Sequence, residues 1–334
     1  MMRLLAVELR RYLRRRAVVL LLAACVVVPV VIGVTQVYNT RPLSDEAVAD
    51  AQAQVERDRA NPDYQQTIDD CIAHPGEWGV GGSGAAAEEQ CRAQIEPQLD
   101  WYLYRPVLDL DDEQDDSGVA IASLLAILLL LAGTTFTGHD WNSGSVSNQL
   151  LFEPRRERIW AAKAIVVTGA ALVVAAVVMT AYWSGLGLVA SSRDVLGEGQ
   201  LLDAYQMGWR AAGVAAAASL LGYALTMLFR STVATIGILL GASVAGSLLL
   251  FALGVSERWN PAVNLAALIE NGTTYYSENA CAEAGDHAFD DDLYYEGDYC
   301  EIEVSFGDGA LYTGTFLVLA AAASFVSFRR RDVP

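Results

Sequence analysis

Six uninterrupted apolar runs, at 17–37, 118–137, 164–190, 210–229, 232–254 and 309–328, set what this 334-residue chain can fold into. A helix needs about 20 apolar residues to cross a hydrocarbon core of ~30 Å. No charged residue interrupts the central part of any run. Arg210 stands at the edge of the fourth and Arg230 just past its far end, where arginines reach headgroups. A soluble domain intersperses apolar and polar residues at period 2 or 3.6, whereas here the charges are packed between the runs. The expected fold class is an all-α membrane protein of six transmembrane helices.

The net charge of −18 conceals a division. Residues 38–117 hold 19 acids against 5 arginines, and residues 255–308 hold 13 acids against 1 arginine. The basic residues lie elsewhere. Arg3, Arg10, Arg11, Arg14, Arg15 and Arg16 precede the first run, with Glu8 the one acid among them. Arg155, Arg156, Arg158 and Lys163 lie between the second and third runs, Arg230 between the fourth and fifth, and Arg329–Arg331 near the end. Six alternating spans put all these basic sites on one side. The positive-inside rule makes that side cytoplasmic, with both termini there and the two acidic segments outside. Span count and charge bias are independent and agree. Lys163 is the single lysine against 21 arginines, a composition pointing to a GC-rich bacterial genome.

The first run follows Arg14-Arg15-Arg16 and contains Leu22-Ala23-Ala24-Cys25, which matches a lipoprotein cleavage box. The apolar stretch continues through Val34, however, longer than a signal-peptide core, so an uncleaved first span is expected. Within 1–16, Leu4, Leu5, Leu9, Tyr12 and Leu13 recur near helical spacing between arginines. That pattern predicts an amphipathic helix at the cytoplasmic surface.

The outside segment 38–117 reads as a small helical domain. Ser44 can cap a helix with Val48, Ala51 and Val55 on one face; Asn61-Pro62 opens a second, running to His74-Pro75. Gly76–Gly84 reads as a flexible loop and about 85–96 as a third helix. Four cysteines fall outside: Cys71, Cys91, Cys281 and Cys300. They allow three pairings. Cys71–Cys91 with Cys281–Cys300 is expected, because local pairing crosslinks within each segment and an oxidising exterior favours bridges. Free thiols are the alternative. Residues 191–209 form an outer loop. In 255–308, Asn260-Pro261 opens a short helix to Ile269, ended by Asn271-Gly272, that lies on or dips into the outer interface. Tyr275, Tyr276, Tyr294, Tyr295 and Tyr299 suit an interfacial belt or a small packed domain. The acid runs Asp109–Asp116 and Asp290–Asp292 lack the glycine and closing glutamate of an EF-hand loop, and no metal is expected.

Chemistry of its own is not visible in the chain. There is no Gly-x-x-x-x-Gly-Lys-[Ser/Thr] loop, no His-Glu-x-x-His and no Gly-x-Ser-x-Gly. His74, His139 and His287 are scattered. The spans lack an acid, lysine or histidine at mid-depth, the groups an ion-coupled carrier uses. A membrane pathway without an energy source is either passive or driven by a partner.

The informative loop is 138–163. It presents Asp140, then Gly144 four residues on, Leu150-Leu151, Pro154 with Arg155, Arg156 and Arg158, and Lys163 entering the next span. Trp141 and Trp160 can anchor the loop at the headgroups, Gly144 permits a turn, and Pro154 ends one helix and restarts another. The expected product is a short helix presented to the cytoplasm. An ordinary basic loop that only sets topology is the plainer alternative.

This loop resembles the first cytoplasmic loop of ABC-2 type transporter permeases, with aspartate where glutamate is usual. The surface helix at the N-terminus resembles that family's connecting helix, and Phe328-Arg-Arg-Arg331-Asp332 its closing signature. The resemblance covers the membrane frame but not the 38–117 insertion. It implies a permease subunit of an ATP-binding cassette exporter, with no catalytic residue or bound cofactor of its own. ATP and Mg would sit on a separate ATPase subunit docking on the loop, with Asp140, Gly144, Pro154, Arg155, Arg156, Arg158 and Lys163 carrying coupling. It further implies a plasma-membrane location, a second permease copy or similar chain, and no nucleic-acid partner. Ser231, Gly237, Gly241 and Ala245 form a small-residue stripe on the fifth span, suited to that second copy or to packing within the chain. Two other classes stay open: a membrane-anchored sensor or assembly protein that binds through its outer segments, and a passive channel or secondary transporter.

Overall fold

The computed structural model describes residues 1–81, 84–103, 107–252, 257–277 and 300–331. Six helices are long and apolar enough to cross a membrane, and the chain is a mostly helical, multi-pass membrane protein. Two compact units share it: Thr35–Leu108, and the remainder from Met1–Val34 and Asp109–Pro334.

In the larger unit, α1 (Met2–Leu13) is followed after a short break by α2 (Arg16–Asn39), the first span. Pro29 lies inside α2; its missing donor is tolerated in a membrane helix where neighbours and side chains re-satisfy the backbone. The second span is one long rod: a single turn α7 (Leu110–Glu113), a π-helical turn over Gln114–Gly118, and α8 (Val119–Asn142). A short helix α9 (Ser145–Phe152) leads into α10 (Arg156–Ser192), then α11 (Gln200–Phe229) and α12 (Thr232–Ala252). The final span is α14 (Phe306–Arg330).

Three spans form the core. α11 packs along both α8 and α10, while α2, α12 and α14 line the periphery. Glycines make the α8–α11 crossing close. A Cβ on Gly133 would lie 2.4 Å from the Ser219 carbonyl oxygen, and one on Gly222 would lie 2.5 Å from that of Leu130. Close backbone approach through small residues is how membrane helices associate without a hydrophobic driving force. At the acidic end of the rod, Tyr182 Oη donates to Ser117 Oγ at 2.6 Å, and Ser117 bonds Glu113, tying the π turn to α10.

Several boundaries move. α10 starts at Arg156 rather than 164 and α11 at Gln200 rather than 210. Helical periodicity continues past the apolar runs: Ile159 and Ala162 on α10, and Ala204 and Met207 on α11, are buried. The outer loop 191–209 is correspondingly shorter.

The fold is not purely helical. Strands β1 (Thr273–Ser277) and β2 (Cys300–Val304) pair antiparallel, with Thr273 opposite Val304 and Tyr275 opposite Ile302. Tyr275 and Val304 bury against Ala267 of α13 (Pro261–Glu270). Tyr275 is therefore core here, and not part of an interfacial belt. α13 has the Asn260 cap and the left-handed Asn271 stop that the sequence suggests. It packs against α11 and α14: Arg210 Nε donates to the Ile269 carbonyl at 2.9 Å, and a Cβ on Gly309 would meet the Asn264 carbonyl at 2.6 Å. Burial raises the Glu270 carboxyl above its usual range. Cys281, Asp290–Asp292, Tyr294, Tyr295, Tyr299 and Asp332 lie outside the described residues.

The smaller unit contains α3 (Asp45–Arg59), α4 (Pro62–Ala73), α5 (Ala85–Ile95) and a single turn α6 (Leu99–Tyr102). Ser44 Oγ accepts from the Ala47 amide and Asn61 Oδ1 from that of Asp63, so both expected caps form. Ala51 and Val55 are buried on one face of α3. Cys71 and Cys91 are joined, Cα to Cα 5.9 Å apart, and pack with Val80 and Ala87. After His74 comes a 3₁₀ turn at Pro75–Trp78, and Val80 is turned inward. Tyr102 Oη bonds Asp58, which holds the Asp58 carboxyl below its usual range and pushes the Tyr102 phenol up to about 12.

Candidate functional site

The α8–α10 linker is built by backbone chemistry. α8 stops at Ser143, and Gly144 takes φ 63°, a left-handed conformation that costs glycine nothing. That turn starts α9. Pro154 follows α9, and α10 begins at Arg156 with Arg155 as its N-cap. The short helix expected between Gly144 and Pro154 is present.

α9 has two faces. Val146 is buried, and Leu150 packs beside it. Leu151 and Phe152 point the other way, 80% and 91% exposed. Arg155 and Arg158 are exposed as well; the Arg158–Glu153 pair, at 3.7 Å, contributes little by itself. Arg156 donates to the carbonyls of Phe328 and Arg331, joining the linker to the end of α14. Trp141 meets Phe328 edge-on at 6.3 Å with the Arg230 guanidinium 4.8 Å from its ring. Trp160 bonds Ser324 Oγ at 3.1 Å and packs on Phe325 and Tyr223. Both tryptophans thus join helix to helix, and each stays partly exposed.

Behind α9 lies a buried ionic cluster. Lys163 Nζ donates to Glu8 Oε2 at 2.9 Å and to Asp140 Oδ2, and all three side chains are 1% exposed. Arg11 bridges the same two acids, 3.0 Å to Glu8 and 2.9 Å to Asp140. Arg15 reaches Asp140 at 2.7 Å and contacts His139. Three cations thus surround two carboxylates, leaving one excess positive charge. The Lys163 ammonium also lies 5.0 Å from the Phe136 ring centroid, a cation–π distance. Tyr12 meets Phe136 edge-on at 5.2 Å, and burial raises its phenol so that it stays neutral.

The cluster reaches α9 directly. Gln149 Nε2 donates to Glu8 Oε1 at 2.9 Å, and Arg11 donates to Ser145 Oγ. One buried group therefore links α1, the end of α8, α9 and the start of α10. Such pairs are a weak source of net stability, because desolvation offsets attraction, but losing one partner strands a buried charge. The arrangement fixes geometry more than it adds stability. A lysine suits this position: three donors on a compact ammonium fit between carboxylates from two helices, where a planar guanidinium is wider. The chain's only lysine stands here.

The structure brings together Asp140 and Lys163, and places Gly144, Pro154, Arg155, Arg156 and Arg158 around α9. Asp140 and Lys163 face inward, so neither offers a surface to a partner. Glu8, Arg11, Arg15, Ser145 and Gln149 belong to the site and were not singled out from sequence. The signal was there: Glu8 is the lone acid in an arginine-rich helix. The mid-depth absence of acids and lysine holds for the spans' centres, but their basic end buries both. Among the described residues no group of three or more potential ligands could hold a metal ion; in the first acid run Asp109 Oδ1 caps α7 and accepts from Gln200. Cys25 is a buried free thiol, and Cys300 lies in β2. On α12, a Cβ at Gly237 or Gly241 would meet nothing within 4 Å, and Ala245 is exposed. Among the described residues nothing packs on Gly237 or Gly241. Comparison with family models, with curated proteins and with solved structures finds no match to this chain.

Proposed function

We propose that this chain is the membrane subunit of an ATP-driven exporter, energised by a separate ATPase that docks on α9. One observation carries the reading: α9 projects Leu151 and Phe152 almost fully exposed while a buried ionic cluster holds its other face against α1, α8 and α10. An exposed apolar tip on a rigidly backed helix is suited to pass a push from a partner into the spans. The ABC-2 permease resemblance of this loop supports the same assignment.

In this reading ATP and Mg bind the ATPase. Its closure moves α9, and the cluster transmits the movement to α8 and α10 together. Asp140, Lys163, Glu8 and Arg11 are positioning residues; Leu151, Phe152, Arg155 and Arg158 meet the partner. Both termini and α9 lie on the cytoplasmic side of a bacterial plasma membrane, a placement the arginine distribution supports. A second permease copy completes the pathway, with the Gly237–Gly241–Ala245 stripe facing it.

The test is co-purification of the tagged chain with an ATPase encoded beside it, comparing wild type with Leu151→Asp plus Phe152→Asp. These side chains are exposed, so the variant keeps its fold. Recovery of the ATPase with wild type and its loss with the variant is expected. Equal recovery with both, or none with wild type despite expression, overturns the reading and favours a membrane-anchored sensor. Asp140→Arg is unsuitable, because it places a further cation in the buried cluster.

A further inference from the structure

The outward faces of α1 sort by chemistry in a way that its contacts with the bundle do not require. Glu8 and Tyr12 are buried, and Arg11 and Arg15 turn inward to the cluster. Two other stripes remain at the same helical spacing. Met2, Leu9 and Leu13 form an exposed apolar stripe. Arg3, Arg10 and Arg14, one residue along, form an exposed cationic stripe beside it. The helix's one acid is sequestered, so no carboxylate of α1 offsets the outward arginines. None of the three forms an ion pair with a described residue.

The position of these stripes is constrained. Only Arg14 and Arg15 separate α1 from α2, a candidate span beginning at Arg16. The C-terminal end of α1 must therefore lie at the surface of the bilayer. An apolar stripe flanked by a row of arginines fits the boundary between acyl chains and headgroups. Charge complementarity selects the headgroup: arginines bind phosphate bidentately, and an anionic leaflet concentrates them further.

We infer that α1 is an anionic-phospholipid sensor, with Arg3, Arg10 and Arg14 on lipid phosphates, and Glu8 and Arg11 relaying the helix's position to α9 through Gln149 and Ser145. A leaflet without anionic lipid holds α1 less tightly and loosens the backing of α9. The inference does not depend on an ATPase docking at α9.

The experiment is hydrogen exchange on the full chain in vesicles of phosphatidylcholine alone and of phosphatidylcholine with phosphatidylglycerol. Wild type is compared with Arg3→Gln/Arg10→Gln/Arg14→Gln. Each arginine is expected to add about fivefold to surface affinity. Amides of 2–13 and 145–152 should exchange several-fold more slowly with phosphatidylglycerol, and added salt should erase the difference. The triple variant should show no lipid dependence while melting like wild type in detergent. Equal exchange of 2–13 in both vesicles, or undiminished protection in the variant, overturns the inference. Protection of 2–13 without any change at 145–152 overturns the relay through Glu8 and Arg11.

Discussion

The core spans α8, α10 and α11 and the peripheral spans α2, α12 and α14 are built for different neighbours, and hydropathy does not tell them apart. α2 has the most apolar window of the six, yet 17% of it is buried; α11 is among the least apolar and 50% of its window is buried. What marks the core is small and hydroxylic residues at contact points: Gly133 and Thr134 on α8, and Ser219, Gly222 and Thr226 on α11. Leucine and valine satisfy lipid as well as protein. Glycine is needed only where a second backbone comes close. The basic end of the core adds a second difference, a buried charge cluster that the peripheral spans lack among the described residues.

Removing the lysine should break the core hardest. Lys163→Met leaves Glu8 and Asp140 buried with two arginines, and the expected loss is about 3–5 kcal/mol in detergent unfolding. Glu8→Gln combined with Lys163→Met should not recover that loss, since it leaves Asp140 alone against Arg11 and Arg15.

Next comes the smaller unit, stapled in a way no span is. Reducing Cys71–Cys91 opens a link between residues 20 apart, and stability of that unit should fall by about 3 kcal/mol. The helical signal of the spans should hold under the same reductant. A parallel loss in the spans would show that the two units do not unfold separately.

The glycine contrast sharpens the comparison directly. Gly133→Ala and Gly222→Ala push a methyl into a facing carbonyl, and each should destabilise by about 1–3 kcal/mol. Gly237→Ala and Gly241→Ala on α12 meet open space and should be neutral or gain up to about 1 kcal/mol from helix propensity. Thermal melting of all four single variants in one detergent gives the comparison. Equal effects on α8 and α12 would remove the distinction between core and periphery.

The smallest effect lies at Tyr102 and Asp58. Asp58 is depressed in the folded state, so its contribution is present above the ordinary carboxylate value and lost as pH falls through the folded one. Tyr102 is raised to about 12, so its contribution is full below the ordinary phenol value and lost as pH rises toward 12. The stability difference between wild type and Tyr102→Phe should be flat near neutrality and close in acid. A gap that persists after Asp58 protonates would assign it to packing of the ring.

Local chemistry was legible in the sequence. Ser44, Asn61 and Asn260 cap the helices they precede, Asn271 and Gly144 take left-handed turns where turns were expected, and α5 of the smaller unit ends within a residue of its forecast. The ends of α10 and α11 were not, because amphipathic turns extend a helix beyond its apolar run. The hairpin was missed although Glu301-Ile302-Glu303-Val304 alternates cleanly, because a four-residue period sits next to the final span. The ionic cluster was hidden for another reason. Its partners lie as far as 155 residues apart, and each charge taken alone reads as a topology signal.

Photo-crosslinking from Phe152, with a benzophenone amino acid in its place in intact membranes, tests the central claim most directly. A parallel probe at Leu248 on the exposed face of α12 serves as control. The expected result is a crosslink from position 152 to a nucleotide-binding ATPase subunit, strengthened or weakened by ATP, and none to that subunit from position 248. Crosslinks from 152 to lipid alone would contradict docking at α9 and leave the cluster as a structural clamp.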